Sequence, residues 1–239
     1  MLKWDLATDS LQVGQWIKPK VRHFDLNSDG SLILCSIQSY RKKDDYSPYV
    51  TLSKPPWYTA LALWKVGDSW GGICGFSDDN TILIQGGMEP LKFKGTLNKG
   101  LVWNNNKGEM IYSRLTERRG WKLDSSQEKW VKYHPKSGFG LIAQRIVNGK
   151  TVLAWPTAYH SWFWKDPITG TESTSSSIDI SLASCADIDP KGRLVYSMED
   201  GKMYSIEKYS NGKYRPRILH DLNDLNPKWV TPPTEATKW

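Results

Sequence analysis

The stretch LASCADIDPKGRLVYSMEDGKMYSIEKYSNGKYRPRILH, from Leu182 to His220, decides the fold class. Short runs rich in apolar and aromatic residues alternate in it with the turn signals Asp200-Gly201 and Asn211-Gly212. Such dipeptides favour the positive φ angles of tight β-hairpins. The stretch therefore predicts a four-stranded antiparallel meander, with strands over Leu182–Asp187, Arg193–Ser197, Met203–Lys208 and Tyr214–His220.

The rest of the chain continues this pattern, whereas apolar residues with helical spacing are scarce. Asp29-Gly30 and Asn148-Gly149 repeat the hairpin signal. Further strands are predicted over Ser31–Ile37, Tyr58–Val66, Thr81–Gln85, Glu109–Arg114 and Thr151–Trp155. We therefore expect an all-β protein built from antiparallel hairpins and meanders.

One phrase recurs along the chain: a strand end, a turn closed by Gly, one polar residue, and then apolar or aromatic residues. Three copies are DLNSDGSLIL from Asp25, WNNNKGEMIY from Trp103 and DIDPKGRLVY from Asp187, with weaker echoes at Asn80 and Gly149. Repeats of about 40 to 45 residues with four strands each indicate a β-propeller. The 239 residues suit a single β-propeller domain over residues 1–239 with five blades, or with four larger ones.

The repeated segments also resemble a known family. SDGSLIL, KGEMIYS and DIDPKGRLVYSMEDGKMYSI resemble the WD40-like (TolB-type) propeller repeat, in which a Pro-x-Gly turn leads into an apolar strand. The stretch from Ser53 to Gly72, with ADIDPKGRLV and HDLNDLNPKWV, is similar to an uncharacterised group of small bacterial proteins. The resemblance implies a propeller fold and brings no activity with it, because fold alone does not imply function.

Composition and charge exclude several classes of protein. The longest uncharged run, Thr151 to Trp164, has 14 residues, whereas a membrane-spanning helix needs about 18 or more apolar ones. Asp5 and Asp9 interrupt any apolar leader in MLKWDLATDS, so we expect a cytoplasmic protein. The formal net charge of +7 is spread over short groups of basic residues. A solvated surface explains it, and nucleic acid is a disfavoured partner.

No catalytic, cofactor or metal motif is present in the sequence. The three cysteines, Cys35, Cys74 and Cys185, have no CxxC spacing and are expected to be small buried hydrophobes. The four histidines form no i, i+4 pair, and GxSxG, Walker and GxGxxG motifs are absent. We therefore predict no catalytic residues, no metal ligands and no cofactor.

Four aspartates at the repeated turns are the first candidates for chemistry: Asp25, Asp29, Asp187 and Asp189. In the favoured interpretation, they hydrogen-bond their own backbone, as Asp does in turns. In the alternative, they converge on a central funnel, as the paired carboxylates of a glycoside hydrolase must.

Two aromatic segments are the candidate binding sites. In the first, Trp162 and Trp164 share one face of a predicted strand near Tyr159. These rings either pack between blades or form an exposed recognition patch. The second is the long insertion RKKDDYSPYVTLSKPP, which together with the following Trp57 supplies Arg41, Tyr46 and Tyr49 at one mouth of the ring. Stacking of single-stranded nucleic acid there is disfavoured by the adjacent Asp44 and Asp45.

The favoured function is a non-enzymatic binding module, a propeller platform for protein–protein recognition. The chain has 13 tryptophans, and Trp, Tyr and Arg dominate the energetics of protein interfaces. The alternatives are a carbohydrate-binding, lectin-like propeller and, less favoured, a glycoside hydrolase with carboxylates in the funnel. The sequence leaves the partner and the oligomeric state open.

Overall fold

The computed structural model describes residues 1–38, 48–66, 72–86, 92–105, 111–147, 150–152, 161–165, 178–208 and 213–239. The described chain is all-β, as the sequence predicts, apart from one short α-helix that it does not predict. It forms two compact units: unit 1 comprises Met1–Asp5, Ser10–Leu115 and Pro227–Trp239, and unit 2 comprises Leu6–Asp9 and Thr116–Asn226.

Unit 1 contains a hairpin, a five-stranded sheet and a three-stranded sheet. Its strands are β1 (Leu2–Asp5), β2 (Ser10–Val13), β3 (Lys20–Leu26), β4 (Ile33–Gln38), β5 (Tyr49–Ser53), β6 (Ala60–Lys65), β7 (Ile73–Asp78), β8 (Thr81–Gln85), β9 (Lys92–Gly95) and β10 (Val102–Asn105). β1 pairs with β2, the large sheet has the order β3-β4-β5-β6-β9, and the small one has the order β10-β8-β7. The predicted strands over Ser31–Ile37, Tyr58–Val66 and Thr81–Gln85 are thus confirmed.

In the core of unit 1, alternate apolar residues of neighbouring strands lie opposite each other on the same face of the large sheet. The register places Leu34 opposite Leu52 and Val50 opposite Trp64. All four side chains are fully buried and pack with Phe76, Ile82 and Ile84 of the β7–β8 hairpin. Burial of each such side chain contributes about 1.5 to 3 kcal/mol, so this face holds the two sheets together.

Three predictions for unit 1 are wrong. The first is the long insertion over Arg41–Pro56, because its residues Tyr49–Ser53 form strand β5 in the middle of the large sheet, with Val50 and Leu52 fully buried.

The second and third wrong predictions concern a short helix and strand β10. Of the segment Glu109–Arg114, predicted as a strand, residues 111–114 lie in helix α1 (Ile111–Arg118), and the first two lie outside the described residues. Ile111 and Leu115, four residues apart, are both buried against Leu83, and this helical spacing prevails over the short apolar run Met-Ile-Tyr. In addition, β10 runs parallel to β8, whereas we expected only antiparallel pairs.

Unit 2 contains two further sheets. Its strands are β11 (Lys122–Asp124), β12 (Lys129–Tyr133), β13 (Gly140–Val147), β14 (Lys150–Val152), β15 (Ser161–Lys165), β16 (Cys185–Ile188), β17 (Leu194–Ser197), β18 (Lys202–Lys208) and β19 (Tyr214–Asp221). β13 pairs with β12 along one edge and with β14 and β15 along the other. β16 to β19 form an antiparallel meander in sequence order. This is the meander that the opening stretch predicts.

The turns of the sequence repeat share one geometry in two of the three copies. Gly30 (φ 68°) donates its N–H to the Asn27 carbonyl at 3.1 Å. Gly192 (φ 80°) donates in the same way to Asp189 at 2.8 Å. The third copy, from Trp103, leads into α1 and not into a strand. The blades of a closed propeller therefore stay a prediction.

The C-terminal segment of unit 1 is tied to the large sheet by three hydrogen bonds. The indole N–H of Trp239 donates to the Thr96 carbonyl at 2.7 Å. The ammonium group of Lys54 donates to the Glu235 carbonyl at 3.0 Å and also to the Lys238 carbonyl. No helix in the described ranges is long and apolar enough to cross a membrane.

Candidate functional site

Trp162 and Trp164 lie in the core of unit 2 and do not form an exposed patch. Their exposed fractions are 4% and 2%. The register places the small Ala143 between Trp130 and Trp162, so two large rings fit in one row of the sheet. Trp164 donates its indole N–H to the buried Ile178 carbonyl at 3.2 Å. For these two rings, the core-packing alternative is the one that the structure shows.

The other predicted binding residues are not brought together by the described part of the chain. Tyr159, Tyr46 and Arg41 lie outside the described residues. Tyr49 is half-buried and packs against the cluster of Ile33, Cys35 and Ile37. Trp57 is half-buried in a turn, where its backbone N–H donates to the Lys54 carbonyl at 2.9 Å. Their role in binding stays a prediction.

The four turn aspartates serve the backbone and neighbouring cations. Asp29 accepts the Ser31 N–H at 2.8 Å, and hydrogen bonds from Ser31 hold the pKa of its carboxyl below the usual range. Asp189 accepts the N–H of Arg193 at 2.8 Å. The buried Asp25 accepts the Phe76 N–H at 2.8 Å, and Asp187 pairs with Lys132 at 2.6 Å. Asp29 and Asp189 thus hydrogen-bond the backbone of their own turns, as expected, whereas Asp25 and Asp187 lie in strands β3 and β16 and contact Phe76 and Lys132.

A groove lies at one end of the β16–β19 meander. Its volume is about 490 Å³, and it is open to solvent on one side. We call it the tyrosine groove. It is lined by Asp179, Leu182, Tyr196, Met198, Glu199, Asp200, Tyr204 and Pro216.

A pair of stacked rings forms the wall of the tyrosine groove. Tyr196 on β17 and Tyr204 on β18 are direct cross-strand partners. Their ring centroids lie 5.2 Å apart at an interplanar angle of 15°. Tyr196 is only 6% exposed, and burial raises its pKa to about 12. The Tyr204 hydroxyl donates to the Asp200 carboxylate, and this hydrogen bond raises the pKa of Tyr204.

Three apolar side chains form the rim of the groove, and a short turn presents the most exposed of them. Leu182 is 77% exposed, although Ile180 and Ala183 on either side of it are buried. Ala183 donates its N–H to the Ile180 carbonyl at 3.0 Å, which closes the turn and holds Leu182 outward. Met198 and Pro216 complete the apolar lining.

Three carboxylates and no basic side chain lie among the described residues that line the groove. Asp179 accepts the Ser181 N–H at 2.8 Å, and this hydrogen bond lowers the pKa of Asp179. Asp200 accepts the Lys202 N–H at 3.1 Å in addition to the Tyr204 hydroxyl. Glu199 is exposed next to Asp200 at the β17–β18 turn. The groove therefore combines an aromatic wall, an apolar rim and negative charge.

The sequence contained a signal for half of this groove. The Asp200-Gly201 signal predicts the hairpin that carries Tyr196 and Tyr204, but a two-residue turn there would pair Tyr196 with Ser205. In the structure the loop has three residues, 199–201, and Tyr196 therefore pairs with Tyr204. Leu182 and Pro216 lie in the first and last predicted strands of the meander and Asp179 precedes it, but no turn signal places their side chains beside Tyr196 and Tyr204. No local pattern marks such contacts.

Within the described part of the chain, no three His, Cys, Asp or Glu side chains lie close enough together to hold a metal ion. Comparisons of the whole chain with family models, with curated proteins and with solved structures found no match.

Proposed function

We propose that this protein is a non-enzymatic binding module and that the tyrosine groove holds a segment of a partner protein. The observation that carries the proposal is the groove itself, an open cavity of about 490 Å³ with the stacked Tyr196–Tyr204 pair as its wall. Ligand sites typically have volumes of about 300 to 1,000 Å³ and combine apolar walls with a few polar groups.

The wall of the groove is rigid, which favours recognition. Tyr196 is held by burial, by its cross-strand position and by stacking on Tyr204. The hydrogen bond from Tyr204 to Asp200 fixes the second ring. Side chains already ordered in the free protein lose little conformational entropy on binding, so more of the contact energy appears as affinity.

The groove carboxylates suit binding better than acid–base catalysis. A glycosidase needs one carboxylic acid whose pKa is raised, so that it can protonate the leaving group. The pKa of Asp179 is instead lowered by the Ser181 hydrogen bonds. Asp200 already accepts the Tyr204 hydroxyl and the Lys202 N–H. These observations support a binding module over a glycoside hydrolase.

The platform that we propose for this groove is a β-propeller. Support comes from the four-stranded β16–β19 meander and from the shared turn geometry at Gly30 and Gly192. The WD40-like resemblance of the repeats and a cytoplasmic location belong to the same proposal. An experimental structure with a closed ring of four or five blades would establish the platform, and an open arrangement of sheets would reject it.

Selection from a random 12-residue peptide library displayed on phage tests the binding function. Peptides selected on the wild-type protein should bind a Leu182→Ala/Tyr204→Ala variant at least tenfold more weakly, because Leu182 and Tyr204 supply the rim and the wall. Leu123→Ala is the matched control, since Leu123 is an exposed leucine of unit 2 that does not line the groove. Equal binding to both variants, or no selected peptide, would contradict the proposal.

A sugar is the second candidate ligand. Carboxylates accept hydrogen bonds from sugar hydroxyls, and the ring of Tyr204 is partly exposed at the groove. A glycan array separates the two candidates. Glycan binding that is lost in the Leu182→Ala/Tyr204→Ala variant would favour the sugar, whereas an array without signal would leave the peptide as the ligand.

A further inference from the structure

We propose that the tyrosine groove selects a lysine or arginine side chain of its partner, flanked by apolar residues. This inference rests on the proposed binding function and adds the chemistry of the partner.

The charge of the groove is opposite to that of the chain. Asp179, Glu199 and Asp200 line it, and none of its described lining residues is basic. The chain as a whole has a formal net charge of +7. The negative groove is therefore a local feature that the overall composition does not explain. Complementary charge attracts a cationic segment to this site and disfavours an acidic one.

The lining matches the two parts of a long basic side chain. Lys and Arg have an apolar stem and a charged head, and they bury the stem along apolar surface while the head stays at a polar edge. Leu182, Met198 and Pro216 offer apolar surface for the stem. The carboxylates beside them offer acceptors for the head. A partly exposed ring such as Tyr204 adds a cation–π contribution, which is typical of aromatic walls.

Hydrogen bonds within the protein orient two of the three groove carboxylates, and the third can pair with a cation of the partner. Ser181 fixes Asp179, and the Tyr204 hydroxyl fixes Asp200. Glu199 has no ion-pair partner among the residues that the structure describes. A cationic head thus meets acceptors that need little reorganisation and one flexible carboxylate that can close on it. Glu199 is therefore the residue whose charge the test removes.

The test is a double-mutant cycle on a peptide selected from the 12-residue library. In one arm, its basic residue is replaced by norleucine, which keeps the stem and removes the charge. In the other arm, the protein carries Glu199→Gln, with Glu117→Gln as the matched control, because Glu117 is an exposed glutamate of unit 2 that does not line the groove. Affinities are measured by isothermal titration calorimetry at 0.05 M and 0.5 M NaCl.

We expect Lys or Arg to be enriched in the selected peptides. Glu199→Gln should weaken binding about two- to fivefold at low salt, the range for a solvent-exposed ion pair. The effect should shrink at 0.5 M NaCl, because salt screens exposed charges. The norleucine peptide should bind wild type and Glu199→Gln equally well, and Glu117→Gln should leave all affinities unchanged.

The two proposals fail in different ways. Neutral or acidic peptides that still depend on Leu182 and Tyr204 would overturn the cation preference and leave the binding function standing. Basic peptides whose affinity is the same for wild type and Glu199→Gln would also overturn it. Peptides that bind the wild type and the Leu182→Ala/Tyr204→Ala variant with equal affinity would overturn the assignment of the binding site to the groove.

Discussion

The side chain of Arg193 links the Leu6–Asp9 segment of unit 2 to the turn between β16 and β17. Its two terminal nitrogens bind the Asp9 carboxylate at 2.6 and 2.7 Å, and its Nε binds Asp189 at 2.7 Å. The Asp189 side chain is only 2% exposed. Both carboxylates hydrogen-bond the guanidinium, which raises the pKa of Arg193 further above its usual range. The buried Asp189 therefore depends on Arg193 for charge compensation.

Replacing Arg193 with methionine should destabilise the protein by about 3 kcal/mol, because the buried Asp189 carboxylate loses its charged partner and keeps only the backbone hydrogen bond from residue 193. Arg217→Met is the control. Arg217 pairs with Glu207 at 3.1 Å, and the two side chains are 50% and 31% exposed, so its loss should cost about 0.5 kcal/mol or less. Urea denaturation monitored by tryptophan fluorescence measures both. Equal costs for the two variants would mean that Arg193 is not a buried partner.

The three cysteines should differ in reactivity. Cys35 and Cys74 are buried, whereas Cys185 is exposed. Burial raises the pKa of the Cys35 thiol to about 12, so little thiolate forms near neutral pH. Ellman's reagent should titrate one thiol per native chain at pH 8 and three after denaturation. Cys185→Ser should abolish the native signal, and a remaining native thiol would contradict the burial of Cys35 or Cys74.

At the level of elements, helix α1 packs closely on strand β7. A Cβ added to Gly75 would come within 2.4 and 2.5 Å of the two methyl groups of Leu115. Leu115 itself is 7% exposed. Glycine is therefore required at this position by the helix above it, and not by its own backbone angles.

A double-mutant cycle tests this contact. Gly75→Ala alone should cost about 1 to 3 kcal/mol through overpacking, and Leu115→Ala alone should cost about 2 to 4 kcal/mol through the cavity it leaves. Together they should cost less than the sum, by at least about 0.5 kcal/mol, because the smaller residue 115 makes room for the new methyl group. Additive free energies of unfolding would show that the helix does not lie against Gly75.

The two equivalent glycine turns should respond differently to alanine. Gly30 and Gly192 both have positive φ, which costs a non-glycine residue about 1 kcal/mol. A Cβ at Gly30 meets nothing within 4 Å, whereas one at Gly192 would lie 2.6 Å from His134 Nδ1. Gly192→Ala should therefore cost more than Gly30→Ala, and His134→Ala should reduce the difference. Equal melting temperatures for the two alanine variants would contradict this packing.

The sequence predicts the elements whose pattern is local. The β16–β19 meander and strand β8 are confirmed because each turn signal is adjacent to the strands that it connects. The strand predicted over Glu109–Arg114 is wrong because three apolar residues in a row fit both a strand and a buried helix turn. The parallel pairing of β10 with β8 could not be predicted, because it joins strands separated by another strand.

At the scale of the whole molecule, stability should decrease at alkaline pH. Burial raises the pKa values of Cys35, Tyr58 and Tyr196 to about 12, above the unfolded values near 9 and 10. Below about pH 9 these groups stay protonated in the folded and in the unfolded chain, so they do not lower the free energy of unfolding there. As the pH rises further, the unfolded chain releases protons that the folded chain keeps, and unfolding becomes more favourable.

The free energy of unfolding should therefore fall steadily between about pH 9 and pH 12. Tyr196→Phe removes one of the three groups, so the fall between pH 10 and pH 11 should be smaller in this variant than in the wild type. Urea denaturation at several pH values measures it. A free energy that is constant up to pH 11 would show that these side chains are not desolvated.

The position of the candidate site could not be predicted from the sequence, because it depends on how separate segments pack. The aromatic excess suggested a surface, but Trp162 and Trp164 are core residues. Tryptophans alternate with other residues in the same way whether their face of the strand meets solvent or a second sheet. Only the packing of other segments against that face decides whether the rings are exposed or buried. The tyrosine groove depends on the same kind of contact, since Asp179 and Leu182 precede the meander and Pro216 belongs to its last strand.

The segments of the discontinuous unit 1 are synthesised at different times, because the ribosome makes a chain from its N-terminus towards its C-terminus. The last segment of unit 1, Pro227–Trp239, is synthesised only after all of unit 2. Until then, the Thr96 carbonyl and the Lys54 ammonium group have not met Trp239 and Glu235, their partners in the finished fold. Deletion of Pro227–Trp239 would therefore remove these contacts from unit 1 and leave every residue of unit 2 in place.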